Sequence, residues 1–355
     1  MRAGGGVSAG RDREITDCLT DWRFNLVLTN SSSFPSARHA PPWSVGKRLF
    51  FMRPSLLLVM YYVLGAAAVI LRSQIPLSTG LKMEWLKCGV RTSVSPPPIV
   101  FIHGTFHGAW CWEQHWLEHF SKAGLEAHAI SLRGTSGSPA DQPSVKITEH
   151  VADLKAFVAE ALGPGAPPPA IVGHSFASAT VLKYLEAGGA ASGIALLCGV
   201  PPSGNGPMTM RFVRRDLGQA WSILRGFAFK TATREPDVVK RLFFDEDTPA
   251  GTIDPLLPRL AADSKVGINL QHFNSNLPSK ATGPDGRASW LAGAALAPSL
   301  VLGATRDYVV DREGVEETAA FLSVEAQYCD LPHDVMLCEG WLEPAERVIT
   351  WVRGL

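Results

Sequence analysis

The chain has 355 residues, with 33 Lys plus Arg against 33 Asp plus Glu and a formal net charge of zero. That length exceeds one typical domain but suits a single α/β domain with an insertion and an N-terminal extension. The charge balance gives no electrostatic footprint for nucleic acid. Six widely separated cysteines with no C-x-x-C pair are too sparse for a disulfide-built scaffold and read as buried free thiols. No HExxH, EF-hand or phosphate-loop pattern suggests a metal, nucleotide or other cofactor.

The first 95 residues differ in character from the rest. Between Asp21 and Glu84 there is no acidic residue, while Arg23, Arg38, Lys47, Arg48, Arg53 and Arg72 are scattered among serines and apolar residues. Such a composition resembles a targeting segment. Within it, Leu56 to Leu71 is uncharged, largely apolar and flanked by basic residues. It is slightly shorter than the roughly 20 residues that cross a bilayer, and slightly long for a signal-peptide core. Three readings stay open: a membrane anchor, a cleaved targeting segment, or a signal peptide beginning at Met52. A buried core helix is disfavoured because the stretch has no polar face. Residues 1–95 are therefore expected to form an extension, with Met1 to Gly80 outside the catalytic fold of 96–355.

From Pro98 the pattern becomes regular. Ile99 to Ile102 reads as a strand, Trp110 to Ala123 as a helix with aromatic anchors, and Ala127 to Leu132 as a second strand closed by the turn-rich 133–139. Ile147, Val151, Leu154, Phe157, Val158 and Leu162 fall on one helical face. Strands at Ile171 and at Ile194 to Cys198 enclose a helix from Phe176 to about Ala187. This alternation predicts an α/β fold, a mostly parallel sheet covered by helices on both faces. From about 201 to 298 only helical stretches appear, such as Met210 to Phe229 and Pro236 to Phe244, and an inserted helical cap explains them most simply. An outer helix layer is the plainer alternative. Alternation resumes with Leu300 to Leu302, the helix Arg312 to Leu322, the strand Ala326 to Leu331 and the helix Leu342 to Val352.

Ile171-Val172-Gly173-His174-Ser175-Phe176-Ala177 runs a buried-strand pattern straight into a glycine, a serine and a helix. It looks like a nucleophile elbow, in which small neighbours let the backbone bend sharply beneath the serine. Alone the motif is weak, because a serine capping an ordinary helix gives the same string. A serine hydroxyl also needs a base, and the base needs an acid to fix its tautomer. Asp307 and His333 each lie just beyond a predicted strand, in the chain order Ser, Asp, His. Asp311 is better placed to cap the following helix, which frees Asp307 for the other role. An oxyanion hole needs two N–H donors; the candidates are Phe176, next to the serine, and Thr105 or Phe106 in the loop after Ile102. His103 reads as structural, His107 as either a substrate contact or a packing residue, and Trp110 as a second contact candidate. His174 is expected to point away from the serine.

From Pro98 onward the chain resembles the α/β-hydrolase superfamily. His103-Gly-Thr-Phe-His-Gly-Ala-Trp-Cys-Trp112 is similar to the HG-x-x-HGAWCW signature of the plant methylesterase and hydroxynitrile lyase group. The segment His333-Asp-Val-Met-Leu-Cys-Glu-Gly-Trp341 looks like the histidine loop of related plant-type hydrolases, including chloroplast-associated ones. The resemblance implies the α/β-hydrolase fold and a triad of Ser175, Asp307 and His333. Ala177 departs from the usual second elbow glycine, and Ser131 stands where many relatives have an aspartate.

Cyanohydrin lyases of this group carry a lysine where Asp334 stands, which disfavours lyase chemistry. Epoxide hydrolases and haloalkane dehalogenases carry an aspartate where Ser175 stands. The expected function is therefore hydrolysis of a carboxylic ester with no cofactor or metal. A small-molecule receptor on the same fold is the alternative. Phe212, Trp221, Leu224, Phe227, Phe229, Phe243 and Phe244 suggest a hydrophobic substrate group. The expected partner is a small-molecule ester, with membrane association through 56–71 and a membrane or organelle location, the chloroplast among them.

Overall fold

In the computed structural model the described residues are 69–92, 95–163, 165–291 and 297–355. Leu71–Pro76 forms β1 and Lys82–Cys88 forms β2. β3 (Ile99–Ile102) and β4 (Ala127–Ile130) flank two short helices, α1 (Trp110–Glu113) and α2 (Trp116–Lys122). The two-residue β5 (Ser144–Val145) leads to α3 (Ile147–Ala161), and β6 (Ala170–His174) leads to α4 (Ala177–Glu186). After β7 (Gly193–Leu197) come α5 (Asn205–Arg215), α6 (Leu217–Ala228), α7 (Pro236–Phe243), α8 (Ala250–Ile253) and α9 (Leu257–Asp263). The short β8 (Gly267–Ile268) precedes α10 (Leu270–Ser275). β9 (Ser299–Ala304), α11 (Arg312–Leu322), β10 (Ala326–Cys329) and α12 (Leu342–Arg353) complete the order.

Eight strands share one sheet in the order β1-β2-β4-β3-β6-β7-β9-β10. β1 and β2 pair antiparallel, as do β2 and β4, and every other pair is parallel. β3, β4, β6 and β7 are buried along their whole length, which is why they read as unbroken apolar runs rather than alternating ones. Register decides where the site can form. Ile102 pairs with Gly173, Gly173 with Leu196 and Leu197 with Leu302, so β3, β6, β7 and β9 end level with one another. Their following loops therefore meet at one edge, around β3, where the strand order reverses.

The expected boundary at residue 95 is corrected, since β1 and β2 belong to the main sheet. β1 is the edge strand and carries polar residues that discourage further pairing, and β2, between it and β4, carries Lys82, Glu84 and Lys87. With no unbroken apolar run, both read as part of the extension. Of the apolar 56–71 stretch, all but residues 69–71 lies outside the described residues; Val69 and Leu71 are exposed there. Among the described residues no helix is long and apolar enough to cross a membrane. Cys88, Cys111, Cys198, Cys329 and Cys338 are free and buried, and Cys18 lies outside the described residues.

Among the described residues between β7 and β9 the regular elements are helices and β8, a two-residue strand that pairs with β5 and is too short to show in the sequence pattern. The single helix read over Met210 to Phe229 is two, because the Asp216 carboxylate accepts the N–H groups of Gly218 and Gln219 and starts a new helix.

Candidate active site

Ser175 sits between β6 and α4 with φ 54°, in the left-handed region that costs a non-glycine residue about 1–3 kcal/mol. Neighbouring backbone holds it there. Its N–H donates to the Leu197 carbonyl at 2.9 Å, and its own carbonyl accepts from Ser178 and Val200, each at 3.1 Å. A Cβ on Gly173 would lie 3.0 Å from Val181 Cγ2 and 3.3 Å from the Ala177 backbone, so a side chain there would have to push its neighbours back by a few tenths of an ångström. Ala177 already opens α4 and keeps a negative φ, so its methyl group costs nothing in backbone strain.

The sheet edge brings the three distant side chains together. His333 Nε2 lies 3.0 Å from Ser175 Oγ, and His333 Nδ1 lies 2.8 Å from Asp307 Oδ2. A carboxylate only accepts, so Nδ1 carries the proton and Nε2 is left to accept from the serine. The other Asp307 oxygen accepts the N–H groups of Val309 at 2.8 Å and Val310 at 2.9 Å, which fixes the carboxylate plane. Burial pulls His333 toward the neutral form, but the Asp307 charge and hydrogen bond outweigh it and raise its pKa above the usual 6.5. Asp311 does something else: it accepts from Gly314 N–H at the start of α11 and pairs with Arg211.

After β3 the loop His103-Gly104-Thr105-Phe106 presses against the serine. A Cβ on Gly104 would stand 2.8 Å from Ser175 Cβ, closer than real Cβ contacts allow. The N–H groups of Thr105, Phe106 and Phe176 donate to no other described residue, and all three residues line the same cavity as Ser175. His103 holds the loop in place: it receives the Leu132 N–H on Nε2 at 2.9 Å and gives its Nδ1 proton to the Gly104 carbonyl at 2.8 Å. Burial above all keeps it neutral, with its pKa down to about 3.

His107 and Trp110, read as candidate substrate contacts, do not line the cavity. Phe106 adopts φ 66°, and this left-handed residue turns His107 beneath the loop. Buried there, His107 stacks on Trp110 with ring centroids 5.2 Å apart. Its Nδ1–H donates to the Thr105 carbonyl at 2.9 Å and its Nε2–H to Asp334 Oδ2 at 3.0 Å. Both partners only accept, so both nitrogens are protonated and the ring is cationic. Burial opposes the charges; their mutual attraction overrides it, raising His107 and lowering Asp334. This ion pair ties the loop after β3 to the residue following His333. Removing one partner strands the other charge in the interior, so His107→Leu is expected to cost about 3–5 kcal/mol. Urea unfolding measures it, and a change under about 0.5 kcal/mol would show the pair to be dispensable. Trp110 gives its indole proton to Asp263 Oδ2 at 2.7 Å.

His174 does not simply point away. Its Nε2–H donates to the His333 carbonyl at 2.9 Å and its ring lies 4.8 Å from that of His333, so it props the loop from below. Burial lowers its pKa to about 3. Donor atoms of His174, Cys198 and His333 lie within 4.8 Å of one another. Both nitrogens of His333 are already engaged, and burial holds the Cys198 thiol protonated well above its usual range, so the set is not arranged as a metal site.

Glu84 escaped the sequence reading. Ser131 Oγ donates to Glu84 Oε2 at 2.6 Å and accepts from Ala109 N–H at 2.9 Å. A carboxylate from β2 thus stands beside Ser131, where many relatives carry an aspartate. Its one sequence signal is position: it is the first acidic residue after Asp21.

Above Ser175 lies a cavity of about 460 Å³. Phe212, Leu224 and Phe227 of α5 and α6 line it together with Met208, Ile223 and Val309, and Asp263 and Lys230 add polar groups. Phe243 and Phe244 are buried in the core, whereas Trp221 and Phe229 are exposed.

The chain matches the Alpha/beta hydrolase family over residues 99–346. It belongs to that family. Solved structures similar to this alpha/beta hydrolase include a Burkholderia cenocepacia protein assigned as an aryl esterase, 19% identical with TM-score 0.55, covering 80% of this chain and 98% of that one. A laboratory-evolved potato epoxide hydrolase is 17% identical with TM-score 0.57, covering 81% and 100%. An esterase from Thermogutta terrifontis is 13% identical with TM-score 0.59, covering 80% and 98%. At these identities the likeness is one of fold. No curated protein matches the chain. The matched residues of the alpha/beta hydrolase begin at β3 and so leave out the β1–β2 hairpin that carries Glu84.

Proposed function

We propose that this alpha/beta hydrolase is a serine hydrolase of carboxylic esters. One observation carries the reading: Ser175 Oγ, His333 and Asp307 form an unbroken hydrogen-bonded chain at 3.0 and 2.8 Å. Ser175 Oγ attacks the ester carbonyl while His333 Nε2 takes its proton, and the carbonyl oxygen becomes an oxyanion facing the unpaired N–H groups of Phe176 and Phe106 or Thr105. Collapse breaks the ester C–O bond, His333 returns the proton to the departing alcohol, and an acyl-serine remains. Water then attacks that acyl group through the same base, releasing the acid and restoring Ser175. An epoxide-opening route would need a carboxylate where Ser175 stands.

The apolar walls contributed by α5 and α6 support an ester with a hydrophobic group. The HG-x-x-HGAWCW stretch supports a place near the plant methylesterase and hydroxynitrile lyase group. The position of the lyase lysine is filled by Asp334, committed to His107, which supports hydrolysis over cyanide release. Composition before Glu84 supports a membrane or organelle address. A panel of p-nitrophenyl esters of graded acyl length tests the reading. Turnover favouring medium over very short chains is expected; no turnover together with no fluorophosphonate label on Ser175 would overturn it.

pH dependence follows from His333. The base must be neutral, and its raised pKa means that protonation persists to higher pH than for an ordinary histidine. kcat/KM should therefore climb with pH through an inflection above 6.5 and be lost as pH falls below it. A pH–rate profile with its acid limb below 6.5 would contradict the assignment.

A further inference from the structure

The helices that wall the cavity also carry apolar side chains on their outer side. Met210 and Val213 on α5, Leu217, Trp221 and Leu224 on α6, and Phe229 just beyond it are between 41% and 70% exposed. Steps of three and four residues put each helix's members on one face. Ala220, Ile223 and Phe227, on the other side of α6, pack inward. A helix that is apolar on both sides is ordinarily buried or in contact with lipid. Trp221 and Phe229 meet at 6.4 Å, an exposed aromatic pair of the kind that favours the boundary between water and apolar phase.

Two further observations say what covers this face. First, Leu224 belongs both to the exposed set and to the cavity wall, and so does Leu270 at 59% exposure. The outer face and the cavity above Ser175 are thus one continuous apolar surface. Second, basic side chains gather beside this face. Residues 205–234 hold six basic residues and one acidic residue, Asp216. Arg211, Arg215 and Arg225 are paired with Asp311, Glu313 and Glu235, and the cationic character of the face rests on the others. Arg214 is exposed and forms no ion pair with another described residue. Apolar and aromatic side chains interleaved with arginine match an anionic lipid surface, whose headgroups attract the cations while the ring and leucine side chains insert.

We propose that the α5–α6 face is the surface on which this protein lies against an anionic lipid layer, with the cavity mouth opening onto the lipid. A lipid-like ester then enters the cavity without crossing water. That delivery step rests on the ester-hydrolase reading; the docking does not.

The test is co-sedimentation of the full chain with phosphatidylcholine vesicles, with and without phosphatidylserine. Wild type is compared with the double variant Leu217→Ser/Trp221→Ser, with Arg214→Glu and with Ser175→Ala. Leu217 and Trp221 are exposed and lie outside the cavity lining, so the double variant should keep the wild-type unfolding midpoint and its turnover of a short soluble ester. Its partition onto phosphatidylserine vesicles should fall by about tenfold or more. Arg214→Glu should weaken binding to phosphatidylserine vesicles alone, and added salt should weaken it further. Ser175→Ala should sediment like wild type, so lost turnover with retained binding would fail only one of the two readings. Wild type that does not sediment, or a double variant that sediments as wild type does, would overturn the proposal; in the second case residues 56–71 would be the anchor. A solution dimer abolished by the double variant would overturn it too, by assigning the face to a second copy.

Discussion

Ser175→Ala is expected to lower ester turnover by at least about 10⁴-fold while leaving the fold intact. Alanine keeps the backbone bonds to Leu197, Ser178 and Val200 and removes only the Oγ that lies 3.0 Å from His333 Nε2. No acyl-serine can then form. What survives is attack by water in a site that still offers oxyanion donors, so the residual rate is small and shows no burst. Active-site titration and single-turnover kinetics measure both, and a loss of less than tenfold would remove Ser175 from the reaction. Ser175→Gly separates chemistry from strain. It abolishes the same step, but glycine accepts φ 54° freely, so its unfolding midpoint should lie above that of Ser175→Ala.

Asp307→Asn is expected to cost about 10⁴-fold in kcat with little change in structure. Two backbone N–H groups, from Val309 and Val310, point at one oxygen of the carboxylate. An asparagine must keep its carbonyl oxygen toward them, because its NH₂ would meet two donors there. Its NH₂ therefore faces His333 Nδ1 and donates to it. The imidazole proton moves to Nε2, where the ring becomes a donor to Ser175 and can no longer take its proton. The acid limb of the pH profile should also move down, since the charge that raises His333 is gone. Retention of more than a tenth of the wild-type kcat would show that Asp307 does not set the tautomer.

The order Ser175, Asp307, His333 was legible because a parallel sheet delivers every strand's C-terminal end to one edge. A polar residue just past an apolar run is then placed by its position in the chain alone. Asp307 could be told from Asp311 because helix capping accounts for only one of them. Loop interiors were not legible in the same way. The sequence leaves His107 open between substrate contact and packing and makes Trp110 a contact candidate, yet one left-handed phenylalanine at 106 redirects the backbone beyond it, and nothing in the residue type announces it. The cap phenylalanines could not be sorted either, because lining, core and exposed positions on α5 to α7 share one composition. β1 and β2 were missed because polar and charged residues interrupt both, so neither shows the apolar run that advertises a strand; at β1, the edge of the sheet, such residues also discourage further pairing.

Glu84 bears on where this protein can be divided. A fragment starting at Pro96, the boundary that composition suggests, would lack the strand that covers the edge of β4 and the carboxylate that Ser131 and Gly137 use. Ser131 in turn holds Ala109 N–H, at the far end of the segment that begins with Gly104. Trimming what looks like a leader would thus loosen the loop after β3 from outside the region matched by the family. Any portable catalytic unit, whether for expression, circular permutation or fusion, has to begin before Leu71.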